Sequence, residues 1–369
     1  MNFSDQIKNY KWDDIHDSIY KKTSADVQRA LTKPRLNLED FKALISPAAE
    51  PFLEQMAQKS QQLTQQRFGK TLQFYLPLYL SNMCSNICTY CGFSMHNKIR
   101  RTTLDLIQVE QECQAIKEMG YEHILLVTGE SKNVGIDYFK RVLPIIKRYF
   151  SHISIEIQPL DQDEYEILIG EGVDAVLVYQ ETYHSETYAK HHLKGNKTDF
   201  NYRVNTHDRL GRAGVDKMGL GCLIGLEEWR TDCFYVAAHL NYLEKYYWQS
   251  RYTLSFPRLR PCAGGLEVKS EMSDKQLVQL ICAYRLFNPE VELSISTRES
   301  VRFRDHILPL GITSLSAGSS TQPGGYAKQS DKSLEQFAIS DERSPVEMAE
   351  LVKSQGYEVV WKDWDHCLR

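Results

Sequence analysis

From residue 72 onward, short runs rich in β-branched and apolar residues alternate with stretches whose apolar positions recur at helical spacing. This is the pattern of a parallel sheet covered by helices. The runs Leu72–Leu80, Ile124–Thr128, Ile153–Pro159, Ala175–Glu181, Lys217–Ile224, Arg251–Pro257, Glu292–Arg298 and Thr313–Ser319 predict eight strands. Their span of about 250 residues is what a (β/α)8 barrel of the TIM type occupies. Between them, Leu104–Met119 predicts a helix with Ile107, Ile116 and Met119 on its buried stripe and Gly120 as its stop. Asp137–Tyr149, Thr231–Tyr246 and Ser273–Phe287 read the same way.

Flanking segments divide the chain into three parts. Residues 1–71 form a helical extension, in which Asn37 caps a helix with Asp40 three positions on and Pro47–Phe68 reads as one longer helix stopped by Gly69. Residues 72–321 form the barrel. Residues 322–369 open with the breaker Pro323-Gly324-Gly325 and hold one more helix, Pro345–Ser354, before a tail containing Trp361 and Trp364.

Strand alternation assigns faces. Ile153, Ile155 and Ile157 share one face of the third strand, and Ser154, Glu156 and Gln158 share the other. Later strands split likewise, with Thr253 and Ser255, then Ser294, Ser296 and Arg298, then Ser314, Ser316 and Gly318 on the polar side. An ordinary barrel fills its lumen with Val, Ile and Leu. A polar lumen predicts a binding chamber, in which Glu156 and Arg298 either pair with each other or face a charged ligand.

A net charge of -4 offers no field for a polyanion, which argues against nucleic acid as a partner. The N-terminus lacks a basic segment followed by an apolar one, and no run approaches the roughly 18 to 20 apolar residues of a membrane helix. A cytoplasmic protein acting on a small molecule, away from membranes, is expected. The cysteines are odd in number, nine in all, and three stand together on the loop after the first strand as Cys84, Cys88 and Cys91. That is the arrangement of a cofactor site, not of a disulfide framework. Three thiolates leave one iron of a four-iron cube open to a further ligand. The competing readings are a zinc knuckle completed by His96 and cysteines that are merely packed.

The spacing Cys84-Ser85-Asn86-Ile87-Cys88-Thr89-Tyr90-Cys91, with an aromatic residue before the last cysteine, resembles the signature of the radical S-adenosylmethionine superfamily. The resemblance implies a [4Fe–4S] cluster on the three cysteines and S-adenosylmethionine as cofactor. It places Tyr90, Gly129, Glu130 and Glu156 around that cofactor, with Lys197 and Arg203 as candidates for its carboxylate unless they are surface charges. Gly221-Cys222-Leu223-Ile224-Gly225-Leu226-Glu227-Glu228 resembles the superfamily's adenine-contact strand, which brings in Gly221, Ile224 and Gly225.

The blocks Pro77–Cys84, Tyr179–Tyr183, Ser296–Glu299 and Ser316–Ser319 resemble the aromatic amino-acid lyases of the superfamily over nearly the whole chain. That branch implies cleavage of the Cα–Cβ bond of L-tyrosine. Arg298 would grip the carboxylate, with Tyr79 and Ser316 donating further hydrogen bonds; an Arg298 pair with Glu299 or Glu267, and a packed Tyr79, are the plainer alternatives. It further implies a thiazole synthase subunit as partner and a flavodoxin-type electron donor. The single tail cysteine, Cys367, points to thiazole assembly over the two-cluster hydrogenase-maturing lyases, while tryptophan lyases and cofactor-F420 precursor synthases share the barrel. The pair His191-His192 is expected in a solvated loop.

Overall fold

The computed structural model describes residues 2–262, 268, 271–327 and 335–363. Eight parallel strands close into a barrel: β1 (Thr71–Ser81), β2 (His123–Thr128), β3 (His152–Glu156), β4 (Ala175–Leu177), β5 (Lys217–Leu220), β6 (Arg251–Ser255), β7 (Glu292–Ile295) and β8 (Ser314–Ser316). Closure comes from β8 pairing with β1 in the register Gln73 to Ser314, Phe74 to Leu315 and Tyr75 to Ser316. Each predicted strand is present in the predicted order.

The alternation of β1 shows why the barrel forms. Leu72, Phe74, Leu76 and Leu78 are fully buried against the helices, while Tyr75, Pro77 and Tyr79 line the lumen. Several strands end earlier than the apolar runs suggest: β3 stops at Glu156 instead of Pro159, β4 at Leu177 instead of Glu181, β7 at Ile295 instead of Arg298. Beyond those points the backbone leaves the ladder and carries Tyr179, Glu181, Pro257 and Arg298 around the mouth. Gly318 does not face the lumen as expected. It sits at φ 64° with its α-carbon against Pro345, where a Cβ would lie 2.9 Å from the proline ring.

Helix boundaries follow capping chemistry. Asp105 caps Leu106–Glu118, Ser273 caps Asp274–Phe287, and Glu228 accepts the Arg230 and Thr231 amides to start Trp229–Tyr246. Ile107 is 71% exposed, contrary to expectation, because Val109, Cys113 and Ile116 form the buried stripe. The predicted helix over 47–68 is two pieces, a 3-10 turn Pro47–Phe52 and a helix Leu53–Phe68, since Pro51 removes an amide donor inside the first turn. The N-terminal helices dock on the barrel through backbone carbonyls: Gln279 donates to Leu44 and Ser46, and Arg230 to Ile45.

C-terminal residues reach both ends of the barrel. A strand at Glu358–Val360 pairs with β1 at its start, and Asp363 meets Gln73 and His123 at the floor. Near the mouth, Arg304 and Asp341 form an ion pair at 2.6 Å with both side chains inaccessible to water, and Arg304 also donates to the carbonyl of Ser316 in β8. Cys367 and Trp364 lie outside the described residues.

Removing one partner of a buried pair strands the other charge, which costs about 3–5 kcal/mol. Asp341→Ala is therefore expected to lower the unfolding free energy by an amount of that size, measured by urea titration followed by circular dichroism; a change under about 1 kcal/mol, the usual worth of an exposed pair, would contradict the assignment.

Candidate active site

The loop after β1 holds its shape through side chains that replace ladder hydrogen bonds. Arg101 donates to the carbonyls of Asn82, Phe93, Ser94 and Asn97, and Asn82 exchanges hydrogen bonds with the backbone at Arg100 and Thr102. The Cys88 amide donates to Ser94 Oγ. A two-stranded antiparallel clasp, Ile87–Cys88 with His192–Lys194, ties the loop to the segment beyond β4. His192 is thus buried, not solvated: Tyr90 hydroxyl meets its Nε2 at 2.7 Å, its Nδ1 faces the Tyr188 carbonyl, and burial lowers its pKa to about 2, which keeps it neutral. His191 contacts Thr89.

Two glycines let other backbone press on this loop. A Cβ at Gly129 would lie 2.3 Å from the Met83 carbonyl, and one at Gly92 would lie 2.5 Å from the carbonyl of Gln336. Cys84, Cys88 and Cys91 all line one chamber, whose empty space together with the solvent at its open mouth is roughly 1600 Å³. Burial raises the Cys88 and Cys91 thiols to about 12 and about 11, so metal is needed to hold them as thiolates. Among the described residues no three His, Cys, Asp or Glu side chains converge on a single ion, and His96 is exposed. Exposed His96 supplies no fourth ligand for a zinc knuckle, and three thiols lining one chamber are the donor set that a four-iron cube with one open iron takes.

Four carboxylates and four cations line the chamber. Glu130 accepts from Arg203 at 2.9 Å and Asn86 at 2.7 Å; Glu181 accepts from Lys197 at 2.7 Å, with Arg203 at 3.6 Å. Lys197 and Arg203 are thereby buried members of the site, not surface charges. Burial opposes the charge on Lys197, yet Glu181, among other anionic neighbours, keeps it above the usual lysine range. Glu181 has φ 71°, an uncommon conformation for a side-chain-bearing residue. Glu299 is taken by Arg258 and Arg260, so it is not the partner of Arg298. Glu267 lies outside the described residues.

Glu156 and Arg298 form no ion pair with each other or with any other described residue, and both line the chamber. Burial first, then Glu181, raises the Glu156 pKa to about 7 against the pull of Arg298, Lys197 and Arg203. The Arg298 guanidinium lies 3.4 Å over the ring of Phe337, leaving its edge for hydrogen bonding. Tyr79 is buried, sits edge-on to Phe93, and donates its hydroxyl proton to Gln336 Oε1 at 2.8 Å. Ser316 also lines the chamber.

The adenine-contact strand is only partly as expected. Gly221 packs under Tyr179, where a Cβ would meet the ring at 2.9 Å, and Gly225 adopts φ 121°. Ile224 does not face the chamber: its side chain is in the core and its amide and carbonyl are used by Pro257 and Leu259, while Leu223 takes the lining position. Glu181, Asn86, Arg101, Gln336 and Phe337 escaped the sequence reading. A single Gln or Phe in an irregular stretch carries no periodic or spacing signal.

The barrel and the three-cysteine loop define a radical S-adenosylmethionine protein, and residues 78–232 match the Radical SAM superfamily while residues 255–358 match the Biotin and Thiamin Synthesis associated domain. The chain is a lyase of that superfamily, whose enzymes work with a [4Fe–4S] cluster and S-adenosylmethionine. Within it, the chain belongs to the 2-iminoacetate synthase family. It is 57% identical to the 2-iminoacetate synthases of Salmonella typhimurium and of Escherichia coli, over 99% of this chain and 97% of each relative. The crystal structure of HydG, a maturase of the [FeFe]-hydrogenase, superimposes with a TM-score of 0.89 at 30% identity, covering 95% of this chain and 80% of that one. No described helix is long and apolar enough to cross a membrane.

Gly129→Ala would drive a methyl group into the Met83 carbonyl beside Cys84. Anaerobically reconstituted variant is expected to hold well under half the iron of the unaltered protein by colorimetric assay, and equal iron would refute the role given to that contact. A second expectation concerns pH. The folded Glu156 pKa of about 7 exceeds the ordinary glutamate value of 4.5, so the folded state binds more protons between those values and stability falls as pH rises through that window, flattening above it. Glu156→Gln removes this slope; urea midpoints of the cluster-free protein measured from acid to neutral pH should diverge in favour of the variant, and parallel profiles would exclude a raised Glu156.

Proposed function

We propose that the chain cleaves the Cα–Cβ bond of L-tyrosine, giving 2-iminoacetate (dehydroglycine) and p-cresol with 5′-deoxyadenosine and methionine. Cys84, Cys88 and Cys91 would hold three irons of the cluster, leaving the fourth for S-adenosylmethionine. When bound, the cluster supplies the electron that opens the sulfonium and so starts hydrogen abstraction. The remaining tasks fall to protein side chains.

The observation that carries the substrate assignment is Arg298, a lumen cation stacked on Phe337 and without an ionic partner among the described residues. A guanidinium held flat against a ring offers two parallel N–H groups to a carboxylate. Around it, Tyr75, Tyr79, Phe93 and Tyr179 provide aromatic walls, with Leu125, Val127 and Leu177 as apolar ones, an enclosure suited to a phenol ring. Tyr79 has spent its one hydroxyl proton on Gln336, so it accepts a hydrogen bond from the substrate amine, while Ser316, which meets the Tyr75 hydroxyl, turns its proton to the carboxylate when substrate binds. Glu156 faces the positively charged ends of substrate and cofactor. Asn86, Glu130, Glu181, Lys197 and Arg203 fix the wall between cluster loop and cofactor.

On this reading the enzyme is cytoplasmic, takes electrons from a flavodoxin-type donor and passes dehydroglycine to a thiazole synthase subunit. The match to the Biotin and Thiamin Synthesis associated domain supports that destination.

Anaerobic protein given dithionite, S-adenosylmethionine and tyrosine is expected to release p-cresol and 5′-deoxyadenosine together, read by liquid chromatography. Arg298→Lys loses the paired contact, about 1.5–3 kcal/mol for a charged hydrogen bond, and should raise the KM for tyrosine on the order of tenfold to a hundredfold. Deoxyadenosine without p-cresol from the unaltered protein would overturn the substrate.

A further inference from the structure

We propose that Gln336 is a positioning residue for the cluster: its side-chain amide joins the Cys91 sulfur to the Tyr79 hydroxyl and thereby sets how easily the cluster is reduced. This rests on Cys91 being a cluster ligand.

Gln336 lies far from the cysteine loop in sequence, yet its main chain is fixed on both sides. Its amide donates to the Thr321 carbonyl at 3.0 Å, and its carbonyl accepts from the Gly92 amide at 3.1 Å. The side chain then reaches inward, with Nε2 3.7 Å from Cys91 Sγ and Oε1 2.8 Å from the Tyr79 hydroxyl. The chemistry of the partners fixes which end of the amide goes where. A metal-bound thiolate is acceptor-only, so the NH2 must face sulfur; the carbonyl end must then accept, and the Tyr79 hydroxyl must donate. The three groups form one polarised chain with a single allowed orientation.

Hydrogen bonds to ligand sulfurs are among the factors that set iron–sulfur potentials. A donor at the sulfur stabilises the state with the extra electron, so it raises the potential. Through Tyr79, which lines the chamber, Gln336 ties the Cys91 sulfur to the substrate side.

The test is a redox titration of anaerobically reconstituted protein, followed by electron paramagnetic resonance of the reduced cluster, with iron and sulfide measured on every sample. Gln336→Met keeps length and removes the donor; a midpoint more negative than that of the unaltered protein, at unchanged iron content, is expected. Gln336→Glu should shift it further in the same direction above the carboxylate pKa, because it adds a negative charge beside the sulfur. Tyr79→Phe frees the amide to turn and should give a smaller negative shift, and the double variant Tyr79→Phe/Gln336→Met should match Gln336→Met alone. Full iron with an unmoved midpoint in both Gln336 variants overturns the proposal and leaves the ligand set intact. Cys91→Ser retaining four irons and an unaltered spectrum would instead overturn the ligand assignment, and the role of Gln336 with it.

Discussion

Burying charge inside a barrel is the constraint to which the rest of this structure answers. Eight ionic side chains line the chamber, four of each sign, and taking each from water costs several kcal/mol unless it is paired. Three carboxylates meet that demand internally: Glu130 with Arg203, Glu181 with Lys197, and Glu299 with Arg258 and Arg260. The fourth, Glu156, and the remaining cation, Arg298, do not satisfy each other. Pairing the first three sets fixes the walls, and leaving the last two apart keeps both available for what the chamber receives. The left-handed backbone at Glu181 is part of the same arrangement, since it aims one carboxylate at two cations from different segments.

The same constraint explains why the chain's later segments return to the mouth. A loop carrying three thiols into a chamber has few ladder hydrogen bonds of its own. Arg101, the clasp at His192–Lys194 and the carbonyl of Gln336 supply them from three directions. The Arg304–Asp341 pair anchors the stretch that bears Gln336 and Phe337 to β8. Phe337 in turn keeps the Arg298 guanidinium flat, and Gln336 meets Cys91. One short segment therefore contacts both the cofactor side and the substrate side, so distortion at either is felt at the other.

The barrel was legible because a two-residue alternation repeated over eight runs is a strong signal, and the polar side of that alternation exposed Glu156, Ser316 and Arg298. The cysteines were legible because three thiols at that spacing on one loop, with an aromatic residue before the last, form a motif in their own right. What stayed hidden had no period. Gln336 and Phe337 stand in irregular backbone and matter through contacts distant in sequence, Gln336 with Cys91 and Tyr79 more than two hundred positions away and Phe337 with Arg298. Strand ends were read too long because apolar runs continue past the last ladder pair into the chamber wall, where Leu177 gives way to Tyr179 and Glu181. Lys197 and Arg203 were ambiguous because a basic residue on a short helix is ordinarily solvated; only the fold places carboxylates opposite them.

Tyr79 shows how proton counting narrows the geometry further than residue type can. Sequence alone makes a lumen tyrosine a donor to the substrate carboxylate. Its single proton is already directed at Gln336, so its oxygen offers only acceptance to the chamber. On the proposed function, a zwitterionic amino acid then has its orientation set by sign: the carboxylate at Arg298 and Ser316, the amine toward acceptors. Glu156 is such an acceptor with a charge that depends on its company. Burial holds it near neutrality in its pKa, and a cation brought into the chamber favours its ionised form. A cationic ligand would thus complete the charge of Glu156, and a raised pKa lessens the cost of holding that carboxyl without a partner beforehand.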